Sequence, residues 1–172
     1  RTAVIYARVS SEGDRQSTAR QVNELSNFAA SAKLEVISIY EEKISGARKN
    51  SERPVLIDCI EYCVSQKIDI LLVNELSRLA RNTFELLATV QKLIEAKVNI
   101  YFQKEMFYLL DEHQKPSLFT PILLAALGTA AQLERENIQY RLNSGRALYI
   151  NNGGKLGRKI GSVKSKEKKE KE

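Results

Sequence analysis

The apolar run that opens the chain ends in YARVS, residues 6–10, which sets Arg8 and Ser10 two apart and therefore on one face of an extended strand. Further arginines stand at the joints of later segments. Arg53 precedes an apolar helical stretch, Arg78 and Arg81 follow the run that ends at Val73, and Arg135 and Arg141 lie where a long helical segment turns polar. Arginine suits phosphate, because its planar fork stays charged and donates two parallel hydrogen bonds. Lysines dominate the C-terminal stretch instead, a division that points to one site for a single phosphate and a separate, looser contact to many. Taken singly, each arginine serves equally as a surface residue or an ion-pair partner, and Ser10 beside Ser11 serves equally as a turn residue.

These residues need elements to place them. Short apolar runs at Ala3–Val9, Val36–Tyr40, Ile68–Val73 and Val98–Phe102 alternate with helical-period segments at Thr18–Lys33, Val55–Gln66 and Phe84–Lys97. This alternation predicts an α/β fold with a mainly parallel sheet flanked by helices, whose site gathers at the C-terminal ends of the strands. Arg8 and Ser10 are at such an end, and so is the stretch after Val73. Arg78 and Arg81, three apart on an expected helix start, can point the same way.

Leu118–Tyr149 reads as one long helix, entered through Lys115-Pro116-Ser117 and stopped at Asn151-Asn152-Gly153-Gly154. Its first half, to Leu133, is apolar almost all round and must be covered on more than one side. A partner subunit is the favoured cover, with burial inside its own domain as the alternative. The expected organisation is an α/β domain over 1–116, the long helix over 117–150 and a basic arm over 151–172.

The net charge is +6, of which residues 155–172 carry +5, leaving the rest nearly neutral. That tail has too few large apolar residues to fold alone, and is either a solvated tail or a nucleic-acid contact. No apolar run is long enough to span a bilayer, and the N-terminus shows no secretory signal, so a cytoplasmic location is expected. Cys59 and Cys63, four apart in a helical stretch, read as buried reduced thiols, and with His113 as the sole histidine a metal site has little support. Gly153-Gly154-Lys155 lacks P-loop spacing.

Four separated motifs, YARVSSEGDRQSTARQ, SGARKNSERPVL, ELSRLARN and AAQLERENIQYR, closely resemble the catalytic domain of the serine recombinases, the resolvase and invertase group, over about residues 2–160. The resemblance implies that Ser10 is the nucleophile, attacking a DNA phosphodiester and joining covalently to the 5' phosphate. It implies active-site arginines at Arg8, Arg53, Arg78 and Arg81, with support from Tyr6, Gln16, Gln21, Arg135 and Arg141. No cofactor or small-molecule substrate is implied, because transesterification keeps the bond energy in the phosphoserine link. The implied partners are double-stranded DNA and further copies of the chain, as a homodimer and a synaptic tetramer.

By the same resemblance the long helix builds the dimer, and its far end reaches the DNA, with Arg146, Lys155, Arg158 and Lys159 as contacts. Family members usually continue into a separate DNA-binding module, so the chain is expected to be a catalytic fragment. Two positions depart from the family pattern. Ser77 stands where an aspartate is usual, and Tyr140 stands where the better-known resolvases have a glutamate; Glu42 sits where another acid is frequent. No general base is assigned. The alternatives are an idle DNA-binding and dimerisation scaffold, a phosphodiester hydrolase using the same serine, and a serine transposase of the same family.

Overall fold

A computed structural model describes residues 1–9, 18–44, 53–80 and 82–157. Strands β1 (Thr2–Val9), β2 (Glu35–Lys43), β3 (Ile70–Val73) and β4 (Asn99–Phe102) pair in parallel, and β5 (Phe107–Tyr108) adds an antiparallel edge beside β4. The spatial order is β2-β1-β3-β4-β5. β1 and β3 are central, which is why both read as unbroken apolar runs rather than alternating ones. Between them the order reverses direction, and in open α/β sheets such a switch point, at the C-terminal ends of the strands, is where sites form.

Helix α1 (Thr18–Ser31) covers the face carrying Ala3, Ile5, Ile70 and Leu72, to which it contributes Leu25 and Ala29. Helices α2 (Pro54–Ser65) and α3 (Thr83–Glu95) supply the larger core on the opposite face, where Leu56, Cys59, Val90 and Leu93 meet Val4, Tyr6, Leu71 and Ile100. Pro54 begins α2, where its missing N–H does no harm. The Asn82 side chain caps α3 by accepting from the Glu85 N–H at 3.0 Å. Cys59 and Cys63 are free and buried, and the Cys63 hydrogen bond together with burial pushes the Cys59 thiol well above its usual range.

All three crossover helices stop in the same way. Lys33, Lys67 and Lys97 adopt left-handed backbone at φ 54°, 50° and 57°. Each donates its N–H to the carbonyl three back, and the apolar residue after it, Leu34, Ile68 or Val98, donates to the carbonyl five back. This double closure is a Schellman cap with lysine where glycine is usual.

The sheet, the helices and their order agree with the sequence reading. The two-residue strand β5 was not foreseen, being too short to show a period. A 3-10 turn at Leu76–Arg78 corrects the expected helix start there, since α3 begins only at Thr83.

The chain divides into two compact units, Arg1–Ala131 and Gln132 onward. Helix α4 (Thr120–Asn151) begins in the first and continues in the second. Within it only Thr120 and Ala131 are buried, although Leu123 and Leu124 pack on the larger core. Leu118, Phe119, Ile122 and Leu133 are 82, 61, 64 and 55% exposed, so the alternative of burial within the helix's own domain does not hold. α4 ends at Gly153, whose φ of 82° closes the helix, with the Gly154 N–H on the Tyr149 carbonyl. Among the described residues no helix is long and apolar enough to cross a membrane.

Candidate active site

Arginines gather beyond the C-terminal ends of β1 and β3, held largely by backbone carbonyls. Side chains alternate along β1, so Tyr6 and Arg8 share the face that looks toward α2. The Gln21 side chain on α1 locks the end of β1: its Nε2 donates to the Arg8 carbonyl at 3.0 Å, and its Oε1 accepts from the Arg8 N–H at 3.3 Å. Arg8 Nη2 then donates to the Ser77 carbonyl at 3.2 Å and Nη1 to the Ile44 carbonyl at 3.4 Å.

Arg53, just before α2, is the deepest of the group, with 2% exposure. Its Nε donates to Glu42 Oε2 at 3.1 Å, while Nη2 donates to the Tyr6 hydroxyl and to the Arg78 carbonyl, each at 2.5 Å. Tyr6 passes its own proton on, donating to Glu42 Oε2 at 2.5 Å. Burial, then the Glu42 carboxylate, pushes the Tyr6 hydroxyl above its usual range against the opposing pull of Arg53. Tyr6 is therefore a neutral donor at physiological pH. Arg78 closes the 3-10 turn, with Nη2 3.0 Å from Glu75 Oε1.

Among the described residues, Arg8, Arg53 and Arg78 bring three positive groups against the two carboxylates of Glu42 and Glu75. Arg8 has only carbonyl acceptors among the described residues, and burial together with the nearby Arg53 and Arg78 lowers its pKa from the usual guanidinium range. Arg8 Nε and Arg78 Nε are buried without hydrogen-bond partners among the described residues. Clustered guanidinium groups with buried donors unpartnered among the described residues suit an anion of phosphate geometry.

Of the residues named from sequence, the structure brings Tyr6, Arg8, Gln21, Arg53 and Arg78 together. Ser10, Gln16, Arg81, Arg158 and Lys159 lie outside the described residues. Arg135, Arg141 and Arg146 are exposed on the part of α4 that belongs to the second unit, and Lys155 is exposed just beyond it. Sequence reasoning missed Glu75, whose signal was its place two residues before Ser77. It named Glu42 without seeing that this buried acid holds Arg53 and Tyr6. Among the described residues no group of three His, Cys, Asp or Glu side chains is arranged to hold a metal.

Comparison with known proteins identifies the family. The family profile of the resolvase N-terminal domain matches residues 3–155. The chain belongs to the resolvase family. This resolvase-family domain is 33% identical to the transposon Tn1721 resolvase of Escherichia coli over 125 residues, 73% of this chain and 63% of that protein. It is 32% identical to the transposon Tn1546 resolvase of Enterococcus faecium over 155 residues, 89% of this chain and 72% of that one. The chain thus spans just under two thirds of the length of the Tn1721 relative. Its fold is that of the N-terminal catalytic domain of TP901-1 integrase, with a TM-score of 0.63 and 25% identity over 79% of this chain and 98% of that one.

Proposed function

We propose that this resolvase-family domain cleaves and rejoins DNA through a phosphoserine link at Ser10. Ser10 Oγ attacks the phosphorus, the Oγ–P bond forms as the bond from phosphorus to the 3' oxygen breaks, and the 3' oxygen leaves as a hydroxyl. Reversal of the same step by another strand's 3' hydroxyl rejoins the DNA without a nucleotide cofactor. The observation that carries this reading is the cluster of three guanidinium groups, Arg8, Arg53 and Arg78, at the strand end that leads in sequence to Ser10.

Charge gathers on the nonbridging oxygens in such a transition state, and preorganised guanidinium groups stabilise it where it develops. Arg8 and Arg78 are the direct phosphate ligands in this reading, joined by Arg81. Arg53 and Tyr6 hold the cluster in place, Gln21 fixes the Arg8 backbone, and Gln16, Arg135 and Arg141 complete the site around the bound strand. Arg146, Lys155, Arg158 and Lys159 contact DNA phosphates. The exposed apolar residues of α4 support a homodimer through this helix, and a tetramer pairs two DNA sites.

The test attaches the 172-residue chain to a zinc-finger module of known specificity and presents it with nicked DNA carrying paired finger sites. A covalent protein–DNA adduct whose peptide maps to Ser10, absent in Ser10→Ala, is the expected result. Adduct formation that survives Ser10→Ala, or binding without any adduct, contradicts the reading.

A further inference from the structure

The position before Arg78 carries Ser77, a side chain with no charge to balance the guanidinium beside it. The structure supplies that charge from elsewhere. Glu75 Oε1 accepts from Ser77 Oγ at 2.5 Å and forms an ion pair with Arg78, whose Nη2 lies 3.0 Å away, while Oε2 accepts from Lys104 Nζ at 2.7 Å. Both carboxylate oxygens are used, and the Arg78 N–H also closes the turn on the Glu75 carbonyl at 3.0 Å. Glu75 and Arg78 are largely shielded from water, at 15 and 18% exposure, whereas Lys104 is at the rim with 69%. Arg78 Nε is buried and has no hydrogen-bond partner among the described residues.

We propose that Glu75, bridged by Ser77 Oγ, is the positioning residue that orients the Arg78 guanidinium for phosphoryl transfer, doing from two residues upstream what a carboxylate on residue 77 would do directly. The proposal rests on the recombinase reading for the reaction but not for the geometry. Ser77 Oγ and Arg78 Nη2 meet the same Glu75 oxygen, Oε1, while Lys104 holds the other, so the carboxylate is fixed on both sides with its charge against Arg78. The Lys104–Glu75 hydrogen bond, the Ser77 hydroxyl and the Arg78 charge, in that order, hold the Glu75 carboxyl below the usual carboxylate range, so the group stays ionised wherever DNA is handled. A hydroxyl alone on residue 77 accepts no proton from Arg78 with comparable strength.

The experiment compares the native chain on its zinc-finger module with Glu75→Gln, Glu75→Asp and the double variant Glu75→Gln/Ser77→Asp. Two quantities are read: the water-exchange rate of the Arg78 Nε–Hε signal in ¹⁵N-arginine-labelled protein, assigned with Arg78→Lys, and the rate of adduct formation at matched DNA occupancy. Glu75→Gln is expected to speed the exchange and slow adduct formation, each about tenfold or more, with DNA affinity unchanged. Moving the carboxylate to residue 77 is expected to bring both back to within about threefold of the native values. Native exchange and native rate in Glu75→Gln overturn the proposal. So do losses that neither Glu75→Asp nor the double variant restores. If the native protein forms no adduct, the recombinase reading fails, while the Arg78 signal still decides whether Glu75 orients that side chain.

Discussion

Arg53 Nη2 donates a 2.5 Å hydrogen bond to the carbonyl of Arg78, so the guanidinium entering α2 is anchored on the backbone of the turn that follows β3. Arg8 Nη2 does the same on the neighbouring Ser77 carbonyl. A three-residue turn therefore collects one arginine from β1 and one from the approach to α2, and adds Arg78 of its own. In the proposed reading such sharing holds the arginines in register before any phosphate arrives.

Glu42 is the acid whose loss should be felt most in the fold. It accepts from Tyr6 and Arg53 at 4% exposure. Removing one member of a buried pair leaves the other charge uncompensated and costs about 3–5 kcal/mol. Glu42→Ala should lower the unfolding free energy by that amount, read in urea as a lower midpoint at constant m, and Glu42→Gln by less. A change below about 1 kcal/mol in Glu42→Ala would mean that Arg53 finds another acceptor.

Tyr6 makes stability fall in alkali. Its hydroxyl is raised in the folded state, so its contribution is complete below the unfolded tyrosine pKa of about 10 and is lost as pH rises through the folded value. The unfolding free energy should decline above about pH 10, and Tyr6→Phe should flatten that decline while lowering stability at neutral pH. Parallel profiles in the two proteins would remove Tyr6 from this role.

Lys67 sits in left-handed backbone at the end of α2 and is exposed, with its cap closed by the Ile68 N–H on the Cys63 carbonyl at 3.0 Å. Lys67→Gly relieves the Cβ strain at a position already ordered, and should stabilise the protein by about 0.5–1 kcal/mol in thermal or urea unfolding. A destabilised variant would show that unfolded-state entropy outweighs the strain.

Gln21 bridges α1 to the end of β1 through two hydrogen bonds to Arg8. Gln21→Leu keeps the volume but leaves both Arg8 backbone groups without these partners, a cost of about 1–3 kcal/mol. Hydrogen exchange should then speed at the Arg8 amide more than at Ile5, inside the strand. Uniform acceleration along β1 would indicate a global loss instead.

The central parallel strands were legible because a strand buried on both faces reads as an apolar run, β3 throughout and β1 from Ala3 to Val9 apart from Arg8. The crossover helices were legible from period, with ends shifted by one or two residues where Lys33, Lys67 and Lys97 cap without the usual glycine. β5 was not legible, since two residues show no alternation. The arginines Arg8, Arg53 and Arg78 were named from position and resemblance, but their anchoring was invisible: their acceptors are largely backbone carbonyls, which carry no sequence signal. Glu75 escaped for a related reason, because its importance lies in a turn that places it beside residues 77, 78 and 104 at once.

The most direct test of the account follows single-turnover adduct formation in Arg8→Lys and Arg78→Lys on the zinc-finger substrate, with DNA affinity measured in parallel. Each variant keeps its charge and loses the fork. Cleavage slowed about a hundredfold at affinity within about threefold of native is the predicted result, since these groups act on the charge that develops in the transition state. Cleavage and affinity falling together by the same factor would contradict it, and would make the cluster a docking site rather than the place where the phosphodiester is broken.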